Sequence, residues 1–379
     1  MVDVKKVYDA LLAKGINFYT GVPDSLLKNF CAYIMDNVPR ERNIIAANEG
    51  AALGIAAGYY MGTGNIPVVY MQNSGIGNAV NPLLSLMDEK VYNLPVLLFI
   101  GWRGEPGEKD EPQHIKQGEV TEALLEAMQI PYDILEPEEE VALCQIEKII
   151  QDIKKTGSSR ALIIRKNILG DYKLRDKAIN PYILSREEAL KIIIDQLGEN
   201  DVVVSTTGKL SRELFEYRES LRQGHECDFL TVGSMGHSCS IALGIALVVP
   251  GRNVYCLDGD GAFIMHMGAI SNIGDLAPEN YHHIIFNNGA HESVGAQPTV
   301  AFGLDIPAIF KSCGYKATFL AENIEDIKIA LREMQLVIGP TLLEIRVGIN
   351  SRENLGRPTI TPGENKKCFM NYLKEKHES

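Results

Sequence analysis

The sequence predicts an α/β protein made of two domains, each with a parallel β-sheet. Its length of 379 residues exceeds the usual size of a single domain. Short apolar runs rich in β-branched residues alternate with segments of helical period along the whole chain. These runs are continuously apolar, as expected of strands that are covered on both faces. We therefore expect a first domain over 1–175 and a second over 176–379.

In the first half, apolar runs and helical segments follow one another closely. The strand candidates are Asn17–Val22, Asn43–Ala47, Pro67–Gln72, Pro95–Gly101 and Arg160–Arg165. Helical period is clearest in Ser25–Met35 and Glu49–Met61. The polar segment from Trp102 to Gly118 is long enough to predict a functional loop near an active site. The alternative is a solvated surface excursion with no role in the chemistry.

A polar and charged segment, Asn167–Ser185, separates the two halves. The helix that follows begins at Ser185 and has Glu188 three residues later, which is the spacing of a capping box. The strand candidates of the second half are Asp201–Thr206, Asp228–Val232, Asn253–Asp258, His282–Phe286 and Thr341–Val347. Strands and helices follow a similar order in both halves, which predicts two domains of the same class.

The composition argues against several classes of protein. No apolar run reaches the length of a membrane span, and the N-terminus lacks the apolar stretch of a signal peptide, so we expect a cytoplasmic protein. The net charge of −12 argues against nucleic acid as a partner. The seven cysteines are scattered without a C-x-x-C pair, which argues against a disulfide framework, a zinc site and an iron–sulfur cluster.

One β–α–β segment predicts a site for a metal ion and a diphosphate. A strand ends at Asp258-Gly-Asp-Gly, a helix follows over about Phe263–Ile273, and the next strand ends at Asn287-Asn288. The carboxyl ends of two such strands lie side by side, where ligands of open α/β sheets bind. Carboxylate and amide oxygens suit Mg²⁺ or Ca²⁺, and a helix beginning near Ala262 favours a phosphate. The dinucleotide fingerprint G-x-G-x-x-G is missing, which argues against a nucleotide-binding oxidoreductase.

This segment resembles the cofactor signature of thiamine-diphosphate enzymes. The resemblance implies thiamine diphosphate and Mg²⁺ as cofactors, with the metal held by the side chains of Asp260 and Asn288 and the main-chain oxygen of Ala290. The spacing leaves Asn287 open as the alternative to Asn288.

Other segments resemble further parts of that family's cofactor site. Asn48-Glu49-Gly resembles the element whose glutamate contacts the pyrimidine ring; otherwise Glu49 is a solvated acid at a helix N-terminus. Gly233-Ser-Met-Gly resembles the segment whose bulky residue bends the cofactor; otherwise Met235 fills a core. The cofactor-binding residues implied by the resemblance are Glu49, Gln72, Thr207, Gly208, Ser234, Met235, Gly259, Asp260, Gly261, Ala262 and Asn288.

The resemblance covers nearly the whole chain. It implies a pyrimidine-binding first domain, a diphosphate-binding second domain and no middle domain. In this family the cofactor bridges the two domain types across a subunit interface, which implies a dimer or a higher homo-oligomer. No membrane partner is implied.

Within these enzymes the chain is most similar to the phosphonopyruvate decarboxylase family, with the sulfopyruvate decarboxylases as nearest relatives. The segments that carry this likeness are Gly21-Val-Pro-Asp-Ser-Leu-Leu, Gln72-Asn-Ser-Gly-Ile-Gly-Asn, Gly101-Trp-Arg-Gly-Glu-Pro-Gly, Asp110-Glu-Pro-Gln-His-Ile-Lys-Gln-Gly and Asn287-Asn-Gly-Ala-His-Glu-Ser-Val-Gly. The implied reaction converts 3-phosphonopyruvate to phosphonoacetaldehyde and CO₂, in the synthesis of 2-aminoethylphosphonate. Because sulfopyruvate relatives typically have separate chains, the single chain favours phosphonopyruvate. The alternatives are sulfopyruvate or another anionic 2-oxo acid, and a non-catalytic cofactor-binding protein of the same fold.

An anionic substrate of this kind needs cations and hydrogen-bond donors. The candidate substrate-binding residues are Arg103, Lys109, His114 and His291. The candidate catalytic residues are Glu49, Asp24, Ser25 and His114. His114 titrates near neutrality and suits a proton relay, although an exposed loop histidine is an equal alternative. Asp24 opposes an anionic substrate unless it pairs with a cation or acts as an acid.

Overall fold

The chain folds into two compact units. A computed structural model describes residues 1–175, 180–352 and 354–375. The first unit comprises Met1–Lys177 and His291–Gln297, and the second comprises Ala178–Ala290 and Pro298–Ser379.

The first unit is built on a parallel sheet. Its strands are β1 (Tyr19–Gly21), β2 (Asn43–Ile45), β3 (Val68–Gln72), β4 (Leu97–Gly101), β5 (Tyr132–Ile134) and β6 (Arg160–Ile164). Its helices are α1 (Val4–Ala13), α2 (Lys28–Asn37), α3 (Glu49–Thr63), α4 (Ile76–Pro82), α5 (Pro112–Ala127) and α6 (Glu139–Thr156). The order across the six-stranded sheet is β2-β1-β3-β4-β6-β5.

Both faces of this sheet are buried. Val68 and Tyr70 pack into one apolar cluster, whereas Val69 and Met71 pack into another. Because successive side chains of a strand point to opposite faces, a strand between two helical layers must be apolar at every position. This explains the continuous apolar run of β3, and it is why the central strands could be predicted.

The second unit has the same architecture. The strands of its sheet are β7 (Val202–Ser205), β8 (Asp228–Leu230), β9 (Val254–Gly259), β10 (Tyr281–Asn287), β13 (Ala317–Ala321) and β14 (Thr341–Arg346). The short strands β11 (Ala290–His291) and β12 (Gln297–Pro298) each include one residue of either unit. Its helices are α7 (Arg186–Ile194), α8 (Lys209–Ser220), α9 (Ser238–Val248), α10 (Asp260–Met265), α11 (Ala269–Leu276), α12 (Ile306–Ser312), α13 (Ile324–Leu336) and α14 (Pro362–Glu375). The order across its six-stranded parallel sheet is β13-β14-β10-β9-β7-β8, and β11 pairs with β12 in a separate two-stranded sheet.

The predicted architecture of two parallel sheets covered by helices is confirmed. The capping box is also present, because the Ser185 hydroxyl accepts from the Glu188 N–H and the Glu188 carboxylate accepts from the Ser185 N–H. In the described ranges, no helix combines the length and apolar character needed to cross a membrane.

Two local predictions were wrong. The segment 102–118 is not one long loop, because α5 begins at Pro112, a residue that suits the first turn of a helix. The helix expected over Phe263–Ile273 is instead two short helices, with α10 ending at Met265 and α11 beginning at Ala269. His266, the residue after α10, leaves helical geometry at φ −133° and ψ 43°.

Candidate active site

In the second unit, the carboxyl ends of β9 and β10 lie side by side. The two strands are parallel, and Phe286 lies opposite Gly259 in their register. The residue after Gly259 is Asp260, which begins α10, and the residue after Phe286 is Asn287, which ends β10. Asp260 and the adjacent asparagines are therefore brought to the edge of the sheet where ligands of such folds bind.

The carboxylate of Asp260 is buried, with 3% of the residue exposed. It accepts a hydrogen bond of 2.5 Å from the Thr299 hydroxyl. Burial raises its pKa to about 6, although this hydrogen bond and main-chain N–H groups such as that of Asn288 act in the opposite direction. A divalent cation would stabilise this desolvated carboxylate, and its oxygen donors are those that Mg²⁺ prefers. The residues present therefore fit a Mg²⁺ ion.

The two asparagines have different surroundings. The Asn287 amide donates to Oε1 of Glu344 over 2.8 Å, and its oxygen accepts from the Gly289 N–H over 3.1 Å. Both ends of this fully buried side chain are therefore used within the end of the sheet. The oxygen of Asn288 accepts from the Ala290 N–H over 3.0 Å. Gly289 adopts φ +68°, and a Cβ there would lie 2.5 Å from the Phe302 ring, so the turn between these residues requires glycine.

The loop that carries Met235 packs against α10. Gly233 and Gly236 have positive φ angles of 73° and 84°, which glycine adopts without steric cost. A Cβ at Gly236 would lie 2.9 Å from the carbonyl oxygen of Ala262. Met235 is half-buried, and its neighbour Ser234 is exposed. The loop is thus held close to the Gly-Asp-Gly segment.

The turn at Thr207-Gly208 joins the same region. The Thr207 hydroxyl accepts a hydrogen bond of 3.0 Å from the Gly233 N–H. Gly208 precedes α8 with φ 104°, and no side chain among the described residues caps that helix. The N–H groups at the start of α8 therefore suit an anion such as a phosphate.

In the first unit, Glu49 begins α3 and is buried, with 5% of the residue exposed. The side chain of Asn48 caps the helix by accepting from the Ala51 N–H over 2.9 Å. Oε2 of Glu49 accepts from the Asn78 amide over 2.8 Å. A Cβ at Gly75 would lie 2.3 Å from Oε1, so glycine there lets the carboxylate lie directly against the backbone.

A hydrogen-bonded cluster in the first unit joins several of the predicted residues. The Gln72 amide donates to Oδ1 of Asp24 over 2.8 Å. Arg103 donates from Nη1 to the Ser25 hydroxyl over 2.8 Å and from Nε to Oδ2 of Asp110, also over 2.8 Å. The Arg103 guanidinium and the Asp110 carboxylate form a two-point ion pair. The positive charge of Arg103 is therefore already balanced within its own segment.

Burial sets the protonation of this cluster. It raises the pKa of Asp24, against the hydrogen bonds from Gln72 and the Leu26 N–H and the charge of Arg103. Burial also lowers the pKa of His114 to about 4, and the nearby Arg103 acts in the same direction. His114 lies in the first turn of α5 with 9% of the residue exposed, so it is a buried neutral histidine at pH 7, not an exposed loop residue.

Two further residues, Lys109 and His291, were predicted to bind the substrate. Lys109 is exposed on the segment before α5. His291 is partly buried in the segment His291–Gln297, and burial lowers its pKa to about 4.

Several partners of these residues were missed in the sequence. Thr299 bonds to Asp260, Glu344 to Asn287, and Asp110 to Arg103. Only the seven-residue separation between Arg103 and Asp110 offered a local signal of opposite charges in one loop. The other pairs are 39 and 57 residues apart, and no local pattern predicts them.

A second group of possible metal ligands lies inside the same sheet and was also missed. Cys256, Asp258 and His283 are fully buried, with ligand atoms within 4.8 Å of one another. Nε2 of His283 lies 3.5 Å from Oδ2 of Asp258. Burial raises the pKa of the Cys256 thiol well above its usual value. These three side chains form a buried polar cluster within the core.

Comparison with known proteins identifies both halves. The model of the thiamine pyrophosphate enzyme N-terminal TPP-binding domain matches residues 4–125, and that of the C-terminal TPP-binding domain matches residues 206–345. Phosphonopyruvate decarboxylase from Streptomyces viridochromogenes is 31% identical, over 98% of this chain and 95% of the relative. The enzyme of the same name from Streptomyces hygroscopicus is 30% identical, over 99% of this chain and 95% of the relative.

Sulfopyruvate decarboxylase from Methanosarcina acetivorans is 26% identical, over 97% of both chains. A sulfopyruvate decarboxylase can therefore also be a single chain of this length, which removes the expectation that a fused chain favours phosphonopyruvate. From the two domain matches and the full-length relatives, the chain belongs to the thiamine-diphosphate-dependent decarboxylases, in the family that includes phosphonopyruvate decarboxylase, and is a carboxy-lyase.

Proposed function

We propose that this enzyme decarboxylates 3-phosphonopyruvate to phosphonoacetaldehyde and CO₂, using thiamine diphosphate and Mg²⁺. The choice of substrate rests on the near full-length similarity, at 31% and 30% identity, to two proteins named for that reaction. The product would serve the synthesis of 2-aminoethylphosphonate. The catalytic domains would be those over 1–175 and 176–379.

The second unit would hold the metal and the diphosphate. Mg²⁺ would be bound by the side chains of Asp260 and Asn288 and the main-chain oxygen of Ala290. The preference for Asn288 over Asn287 follows the resemblance to the family's signature, since the side-chain oxygens of both asparagines accept a main-chain N–H bond. The anionic diphosphate would lie against Gly259, Gly261, Ala262 and the turn at Thr207-Gly208, with Ser234 and Met235 beside the rest of the cofactor.

When bound, thiamine diphosphate supplies the electron sink that a 2-oxo acid needs in order to lose CO₂. Glu49 would hold a proton against the pyrimidine ring of the cofactor, with Gln72 as a further contact. The bond from Asn78 fixes Oε2 of Glu49, and the absence of a side chain at Gly75 gives Oε1 its space. The carboxylate is thus held by its surroundings before any cofactor binds.

Proton delivery to the product carbon would fall to Asp24. Its raised pKa favours the protonated form, which is what a general acid requires. Ser25 and Arg103 would orient the substrate beside it, since they bond to each other over 2.8 Å. Neutral His114 would donate or accept a hydrogen bond rather than carry a charge. Lys109 and His291 complete the proposed substrate contacts.

The test is an assay of aldehyde and CO₂ formation from phosphonopyruvate, with and without thiamine diphosphate and Mg²⁺. Turnover that depends on both would support the proposal, and no cofactor-dependent turnover would refute it. A Glu49→Gln variant should retain the cofactor but lose turnover. If it is as active as the wild type, Glu49 is not catalytic; if the wild type binds cofactor without turnover, the chain is a non-catalytic binding protein.

Sulfopyruvate is the second candidate substrate, and the full-length relative at 26% identity favours it. Specificity is a ratio, so kcat/KM for phosphonopyruvate, sulfopyruvate and pyruvate should be measured on the same enzyme preparation. A larger value for sulfopyruvate would reassign the substrate and leave the cofactor chemistry unchanged.

We also propose a cytoplasmic homo-oligomer in which Glu49 of one subunit and Asp260 of another serve one cofactor. Two inactive variants, Glu49→Gln and Asp260→Asn, test this arrangement when they are mixed and allowed to exchange subunits. Half of the dimers would be mixed, and each would have one intact site, so activity should recover to about a quarter of the wild-type value. A mixture that stays inactive after proven subunit exchange would contradict shared sites.

A further inference from the structure

Two histidines of the second unit face each other beside the loop that carries Met235. His237 precedes α9, and His266 follows α10. Their ring centroids are 4.3 Å apart, with the ring planes tilted by 48°. Gly236 makes this approach possible, because a Cβ there would lie 2.7 Å from Cδ2 of His266. The pair is therefore built into the fold of the loop.

Neither imidazole has an anionic partner of its own. The histidines that pair with carboxylates in the described part of the chain are His225 and His283. Nδ1 of His237 lies 3.2 Å from the carbonyl oxygen of Ser234, and the ring is exposed. Nε2 of His266 is buried, and no described residue bonds to it. Burial and the neighbouring His237 lower the pKa of His266, so an anion placed beside the pair would favour its protonation.

The position of the pair suits the substrate more than the metal. His266 lies six residues after Asp260 and beyond the end of α10, and the Asp260 carboxylate bonds to Thr299 instead. The pair is nevertheless carried by the same elements, the Gly-Asp-Gly helix and the loop of Met235. A ligand group that contacts the two histidines would therefore belong to a molecule bound at the Gly-Asp-Gly helix and the loop of Met235.

The cations of the first unit offer a contrast. The guanidinium of Arg103 is already paired with Asp110. An imidazole pair with no such partner gains more from an incoming anion, since the anion also offsets the repulsion between two protonated rings.

We propose that His237 and His266 form the subsite for the second acidic group of the substrate, the tetrahedral phosphonate or sulfonate at C3. This inference rests on the proposed function and adds the residues that select its substrate. The oxyanion accepts N–H bonds from both rings, whereas pyruvate, which has no such group, gains nothing from them. The pair therefore favours 2-oxo acids that have a second acidic group over pyruvate. Phosphonate and sulfonate oxygens accept the same N–H bonds from the two rings.

The kinetic experiment compares the holoenzyme with His237→Gln and His266→Gln. The matched control is His225→Gln, whose ring stacks on Phe215 and which precedes β8, an edge strand of the sheet. Loss of a bond to a charged group should raise KM for phosphonopyruvate and sulfopyruvate about ten- to a hundredfold in either variant, with kcat/KM for pyruvate nearly unchanged. Equal loss for all three substrates, or no loss for the acidic ones, would overturn the proposal.

A binding experiment does not depend on turnover. The analogues 3-phosphonopropionate and 3-sulfopropionate lack the 2-oxo group and can be titrated into the holoenzyme by calorimetry at pH 7, in buffers of different ionisation enthalpy. Binding to the wild type and the control should take up protons, and both the affinity and the proton uptake should fall in the two site variants. Equal binding to all four proteins, or no binding to the wild type, would refute the subsite.

The two proposals fail in different ways. A wild type that turns over no acidic 2-oxo acid refutes the proposed function, and the analogue titrations still decide whether the subsite exists. A wild type that is active on phosphonopyruvate or sulfopyruvate, with site variants that match it in both experiments, refutes the subsite alone.

Discussion

Replacing Asp260 with asparagine should stabilise the cofactor-free protein while removing its capacity to retain Mg²⁺ and thiamine diphosphate. Burial raises the pKa of this carboxyl from 3.8 to about 6, so folding at pH 7 places a charge where it is disfavoured. A shift of about two pKa units corresponds to about 3 kcal/mol at pH 7. Asparagine removes the charge and keeps an oxygen that can accept from the Thr299 hydroxyl.

The pH dependence gives the prediction its sign. Because the folded-state pKa lies above the unfolded value of 3.8, the penalty is fully present at pH 7 and disappears as the pH falls below that value. The variant has no such penalty at any pH. Its advantage over the wild type should therefore shrink by about 2–3 kcal/mol between pH 7 and pH 4. A fixed difference from lost or gained hydrogen bonds would not change with pH in this way.

Urea unfolding of the metal-free proteins, at several pH values, measures this difference. The chain has a single tryptophan, Trp102, so its fluorescence reports the first unit, and circular dichroism reports both. The change should appear in the circular dichroism transition. The control is Asp275→Asn, an exposed carboxyl on α11, which should show no such pH dependence. The reasoning is refuted if Asp260→Asn is no more stable than the wild type at pH 7, or if the difference in unfolding free energy is the same at pH 7 and pH 4.

Three further substitutions test the surroundings of the site. Gly75→Ala puts a Cβ 2.3 Å from Oε1 of Glu49. We expect kcat to fall at least about tenfold in the assay and the free energy of unfolding in urea to fall by about 1–3 kcal/mol. An unchanged kcat would contradict the close contact. Thr299→Val removes the hydroxyl that bonds to Asp260 and should weaken Mg²⁺ binding about ten- to a hundredfold in calorimetry, whereas Thr299→Ser should restore it. Asp110→Asn should destabilise the first unit by about 1–3 kcal/mol in Trp102 fluorescence; no change would show that its ion pair is dispensable for stability.

The central strands of both sheets could be predicted because burial on two faces leaves a continuous apolar run. The edge strands β5 and β13 could not be predicted, since most of their residues are only partly buried and the run is broken. The break between α10 and α11 was missed because the sequence there contains no proline, and the departure from helical geometry occurs at His266. Local patterns show what a strand buries, but they carry little information about where a helix of this kind stops.

The site follows the same rule. The segments containing Glu49 and Asp260 could be predicted as parts of a site because each combines a strand end with a helix start, and the segment containing Asn288 because it directly follows the end of β10. The partners that hold them, such as Thr299 and Glu344, come from distant parts of the chain. Their contacts depend on how strands and loops pack, and a single sequence does not encode that in any short pattern.

The ion pair between Arg103 and Asp110 means that this segment carries its own counter-anion. Asp110 is tethered seven residues away, so its effective concentration near the guanidinium exceeds that of any free anion in solution. Chloride, phosphate and other small anions must therefore compete with a carboxylate that never diffuses away. If Arg103 contacts the substrate as proposed, only a ligand that is also bound elsewhere in the site can displace Asp110 from the guanidinium. The segment therefore disfavours anions that bind through a single charge.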